Sequence, residues 1–140
     1  MLLTMSSCSA SVTPGYVEED KKTAEVAIGH FHERFNKQQY QEIYDDAHES
    51  FKKGQKKDDA INAMKQTRER FGNSEQVTEK WINVIIGAPI QIRAVYNSKF
   101  SKGDTTEMFI FVKERNAVKL VQYQIYPGTQ KPAADQGSGS

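Results

Sequence analysis

A pair of carboxylates beside a phenol is the arrangement in this chain closest to acid–base machinery. Asp45 and Asp46 directly follow Tyr44, and His48 stands near them. A carboxyl group in an apolar recess has its proton affinity raised toward the range a general base needs. A solvated helix end would carry the same residues. The three histidines, His30, His32 and His48, are the only imidazoles. On a helix of about 100° per residue, His30 and His32 point about 160° apart, so they cannot share a metal ion. Neither has an acidic residue at the i+4 position that would complete a site, and all three read as surface or boundary residues. The later acids, Glu75, Glu79, Asp104, Glu107 and Glu114, fall in turns or strand margins, with Glu79 and Glu107 read as solvent-face positions. Gly54 and Gly72 lack neighbouring glycines, and no Gly-x-Ser-x-Gly elbow occurs. No catalytic residue, metal site or cofactor is expected.

The single cysteine, Cys8, ends the run Leu2-Leu3-Thr4-Met5-Ser6-Ser7-Cys8. A cysteine-free body allows no disulfide framework and no thiolate metal site. The run resembles the end of a bacterial lipoprotein signal, where small residues before the cysteine fit the signal peptidase. That resemblance implies an acylated Cys8, a membrane partner through its lipid, and a bacterial cell-envelope location facing the periplasm or the exterior. The expected organisation is a signal-like segment over 1–8, a flexible tether over 9–20, one α+β domain over 21–126 and a disordered tail over 127–140.

The elements follow from periodicity. The chain has 140 residues, with 19 basic and 18 acidic side chains. That is enough for one domain, and near-neutral charge without a basic stripe argues against nucleic-acid binding. Past Cys8, no apolar stretch approaches the ~20 residues that would span a bilayer. Ala24, Ala27, Ile28, Phe31 and Phe35 form one helical stripe, ending near Asn36. A second helix carries Tyr40, Ile43, Tyr44 and Ala47 inward. Lys52 to Lys57 reads as a basic loop with Phe51 pinned behind it, and Asp58 and Asp59 cap a third helix with Ala60, Met64, Thr67 and Phe71 inward. The second half turns to β-rich, period-two segments over 76–86, 90–100 and 118–126, while 108–112 is apolar on both faces. Short turns predict an antiparallel meander of about four strands, with three helices packed on its curved face.

Phe31-His32-Glu33-Arg34-Phe35-Asn36, Tyr40 to Ala47, Phe51-Lys52, Tyr96, Phe100, Glu107-Met108-Phe109 and Gln122 to Ile125 together resemble small secreted or lipoprotein members of the cystatin-like, nuclear transport factor two-like superfamily. The resemblance implies a sheet wrapping the first helix into a cone. Catalytic members, similar to ketosteroid isomerase, use an acidic or histidine base inside the cone, faced by a tyrosine. Among the aromatics, Tyr44, Trp81, Tyr96 and Tyr123 are the candidate ligand-binding residues, although core packing would use them equally well. In Met108-Phe109-Ile110-Phe111-Val112 only one alternate set can face the helices. The other set must meet a partner, the bent part of the sheet or water; an exposed apolar sheet face marks an interface, and related folds imply a homodimer through the sheet. The function expected is a membrane-tethered domain that binds a partner or a small apolar ligand without catalysis. The alternative is an isomerase- or hydratase-type enzyme with an acidic base in the cavity.

Overall fold

Apolar residues spaced for a helix in the first half, and for strands in the second, dictate the layers. The computed structural model describes residues 14 to 129. Cys8, the first part of the tether and most of the tail lie outside the described residues. Helix α1 (Pro14–Asn36) is followed by α2 (Tyr40–Asp46), α3 (Glu49–Gly54) and α4 (Lys57–Phe71). Strands β1 (Ser74–Ile85), β2 (Gln91–Phe100), β3 (Gly103–Glu114) and β4 (Ala117–Pro127) then form one antiparallel sheet in the order β1-β2-β3-β4. The helices pack on one face of this curved sheet, the α+β arrangement expected.

The helical half departs from expectation at its edges. Helix α1 begins at Pro14, inside the segment read as a tether; proline suits a first helical position because the amide it lacks would be unpaired there anyway. Asp20 is buried and pairs with Lys113 Nζ of β3 at 2.8 Å, so the tether region contributes to the folded body. Residues 52–54, read as part of a basic loop, instead end the short α3, which has His48 at its N-cap accepting from Ser50 N. Asp58 and Asp59 occupy the first turn of α4, where they complement the helix dipole, and the N-cap is Lys56. Asn36 ends α1 through its amide: Nδ2 donates to Ser74 O and Oδ1 accepts from Ser74 N, which joins the helix end to β1. The left-handed residue falls later, at Gln38.

Alternation resolves β3. Phe109 and Phe111 face the helices, with Ile92, Ala94, Tyr96 and Phe100 of β2 and Leu120 of β4 on the same side. Ile110, Val112 and Val95 are also buried but lie outside that core, on the opposite face. Register shifts between Glu79 and Trp81 and between Ile110 and Phe111 bend the edge strands, as bulges do. The first leaves Trp81 on the outer face, 38 % exposed, while Ile82 points inward.

The turn from α4 into β1 depends on Gly72. Its φ of +84° with ψ of −153° lies where side-chain-bearing residues are strained, and a Cβ there would sit 1.9 Å from Ser101 Oγ. Ser101 Oγ is in turn held by Asn73 N at 3.0 Å, so it cannot simply swing away. Gly72→Ala is therefore expected to lower unfolding free energy by at least about 2 kcal/mol, since such backbone strain alone costs on the order of 1–3 kcal/mol. Urea unfolding followed by Trp81 fluorescence measures it. Adding Ser101→Gly relieves the clash but not the strain, so only part of the loss should return.

Candidate functional site

The inward faces of α1, β2, β3 and β4 meet on a carboxylate. Glu107 is fully buried on β3, two residues from Phe109 on the same face. Its Oε1 accepts from Ser98 Oγ at 2.5 Å, and its Oε2 accepts from Tyr123 Oη at 2.6 Å. His32 Nε2 of α1 lies 2.8 Å and 3.0 Å from the two oxygens. Burial, followed by the charge of Glu107 and its hydrogen bond, pushes the Tyr123 phenol well above its ordinary pKa, so the hydroxyl stays a donor. Phe31 and Phe109 flank the group: Phe109 meets His32 edge-on at 5.7 Å, and Phe31 lies 4.5 Å from the Tyr123 ring.

Glu107 and His32 correct the reading from sequence. Glu107 is not a solvent-face residue, because Thr105, Glu107, Phe109 and Phe111 share one side of β3 and the phenylalanines face the helices. His32 is not at the surface, because it lies one turn after Ile28 on the buried stripe that continues to Phe35. Parity was the available signal for Glu107, and helical spacing was the signal for His32. Ser98 follows likewise from Tyr96 and Phe100.

Beside this cluster, α1, α2 and β4 leave a cleft of about 310 Å³. Ala27, Phe31, Ile43, Ala47, Phe111, Val118 and Leu120 give it apolar walls, while His30, Arg34, Asp46 and Lys119 supply its polar groups. The Arg34 guanidinium donates to Asp46 Oδ2, bridging α1 and α2. A smaller cavity of about 130 Å³ lies beneath α4, and Phe31, Ile43 and Leu120 line both spaces and so form the partition between them.

The residues expected to carry chemistry are dispersed. Asp45 is exposed and bonded to Lys57 Nζ at 3.0 Å, and that bond, ahead of other causes, holds its carboxyl below the usual range. Asp46 sits on the cleft beside Arg34, and more than half of its side chain is exposed. His48 is spent on capping α3 and lies 3.5 Å from Glu114. No group of side chains able to hold a metal ion occurs among the described residues. Of the four aromatic candidates, Tyr44 donates to Lys52 O and Gln55 O, tying down the end of α3. Trp81 faces outward. Tyr96 and Tyr123 both contact Phe109, and only Tyr123 lines one of the two spaces described above, the smaller one. Burial pushes Tyr96 up to about 12. The four therefore do not form a common binding surface; the cleft residues were missed because they come from four elements, α1, α2, β3 and β4, that become neighbours only after folding.

The chain matches no protein-family model and no curated protein sequence at significant similarity.

Removing the carboxylate tests its place in the cluster. Glu107→Ala would strand three buried polar partners, and breaking a buried pair in this way costs about 3–5 kcal/mol. Ser98→Ala leaves the other donors in place and should cost less, about 1.5–2 kcal/mol. Denaturant unfolding of both variants gives the comparison; near-equal losses would refute Glu107 as the centre of the cluster.

Proposed function

We propose that this domain is the binding module of a bacterial envelope lipoprotein of the cystatin-like, nuclear transport factor two-like superfamily, anchored by lipid on Cys8. Its ligand is a small apolar molecule with an anionic end, held without covalent chemistry in the cleft between α1, α2 and β4. The observation that carries this reading is the cleft itself: an apolar floor of about 310 Å³ beside His30, Arg34 and Lys119. That volume falls within the roughly 300–1,000 Å³ range of small-molecule sites. Apolar walls reward burial of a hydrocarbon body, and an arginine fork orients a carboxylate or similar group. Asp46, already bonded to Arg34, would share that cation with the ligand.

Catalysis by an acidic base is the weaker reading. Asp45 and Asp46 are solvated and paired, and a general base must reach the proton it takes within about 2.6–3.2 Å, directly or through one water. Glu107 is buried deeply enough, but its oxygens already face three partners and it lines neither the cleft nor the smaller cavity.

The anchor rests on the Cys8 context. The chain from Cys8 to Pro14 can extend at most roughly 20 Å, which would keep the domain close to the bilayer. Mass spectrometry of the full-length protein recovered from bacterial membranes should show acylated Cys8, and an unmodified thiol would remove the anchor. For the cleft, calorimetry with decanoate and with decanol provides the test. Decanoate should bind more tightly, and Ala27→Trp should abolish binding of both by filling the cleft. Arg34→Ala should weaken decanoate at least about tenfold while affecting decanol little. Binding that survives Ala27→Trp would show that the cleft is not the site.

A further inference from the structure

A second cleft, of about 470 Å³, opens at the other end of the helical layer, among the C-terminal half of α4, the connection after α1 and the β2–β3 turn. It differs in kind from the apolar cleft. Gln38, Tyr40, Lys65, Arg68, Ser101 and Lys102 make its walls polar, and Glu69 is the one acid among its lining residues. Three cations thus surround a space with a single carboxylate.

The hydrogen bonds around this cleft leave a specific demand. Lys102 Nζ donates to Glu69 O at 2.7 Å, which fixes that ammonium at the end of α4. The backbone donors of the neighbouring turn are all used: Gly72 N on Arg68 O, Asn73 N on Ser101 Oγ, Ser101 N on Asn73 O and Lys102 N on Phe71 O. Arg68 Nε, by contrast, is buried and has no acceptor. Arg68 lines the cleft, and the acceptor that a guanidinium's planar fork fits best is an oxyanion. Lys65 stands one helical turn before Arg68, on the same face of α4. Tyr40, whose phenol burial pushes above its ordinary pKa, and Ser101 offer hydroxyls from other walls. Donors converging from several sides suit a tetrahedral anion better than a flat carboxylate.

The geometry points to this cleft as a binding site for a phosphate- or sulfate-class oxyanion, with Arg68 as the orienting donor and Lys65 and Lys102 as supporting cations. The site is independent of the apolar cleft. Resting on the Cys8 anchor proposed above, its position favours a free phosphate-bearing molecule over a lipid headgroup. It lies beyond the C-terminal end of α1, and a helix of 23 residues puts that end about 33 Å from Pro14, the end nearer Cys8.

Calorimetric titration of the full chain with inorganic phosphate tests the site, using the natural protein, Arg68→Gln, Lys65→Gln and, as a distant control, Lys53→Gln. Phosphate should bind the natural protein and Lys53→Gln alike, bind Arg68→Gln at least about tenfold more weakly, and lose affinity as salt rises. Thermal unfolding in the absence of phosphate checks that Arg68→Gln is folded, and Lys65→Gln should also bind phosphate more weakly than the natural protein. Arg68→Lys, which keeps the charge but not the fork, should also weaken binding. A second arm uses phosphatidylcholine vesicles with and without phosphatidylglycerol. Binding only to the anionic vesicles, lost in Arg68→Gln, keeps the site and assigns its anion to a headgroup. Failure of both arms, or equal binding by all the proteins, overturns the proposal.

Discussion

A carboxylate taken out of water must find donors, and Glu107 finds them on three other elements. The requirement is steep because the penalty for burying an ion is several kcal/mol even after the surroundings relax. Ser98 on β2, Tyr123 on β4 and His32 on α1 therefore have to arrive together around β3. A slip of one residue in β3 would turn Glu107 to the outer face and Phe109 with it. A rotation of α1 would carry His32 away and leave the carboxylate with hydroxyls alone. The cluster thus acts as a register mark within a core that is otherwise aromatic and aliphatic, where packing alone is more forgiving of small shifts.

The rest of the fold is arranged around that mark. Phe31 precedes His32, stacks on Phe35, meets Phe109 edge-on and lies tilted against Tyr123, so the placement of His32 also places the aromatic wall of the cleft. The Arg34–Asp46 bridge sets the opposite lip by joining α1 to α2, and the Asn36–Ser74 amide pair closes the far end of α1 onto the sheet. One helix, secured along its length, presents an apolar recess near its middle. Just past its C-terminal end lies a cationic one.

Electrostatic roles separate along the same axis. The acids that looked most available for chemistry, Asp45 and Asp46, are exposed and neutralised by Lys57 and Arg34. The acid that looked like surface decoration is the one desolvated completely. An exposed pair is worth little to stability because water and salt screen it, whereas the buried carboxylate constrains geometry. Arg68 is the converse case: a cation whose Nε is buried and has no acceptor within the fold.

Much of the architecture was legible before folding was considered. The stripe of Ala24, Ile28, Phe31 and Phe35 and the alternation from Ile90 to Phe100 each report local periodicity, and periodicity is a property of the chain itself. The short α3 and the early start of α1 were less legible. Helix α3 is held by Tyr44 and by its contact with β4, and the start of α1 is tied down by the Asp20–Lys113 pair; both depend on distant residues. The inward placement of Glu107 stood between, since strand parity required it once Phe109 and Phe111 faced the helices, yet only the folded sheet chose which set did. Sequence by itself determined the element types and the helix-then-sheet order, because backbone geometry repeats every few residues. Which polar side chains were desolvated together, and where the clefts opened, was decided only by tertiary structure, because burial is a property of neighbours brought together from far along the chain.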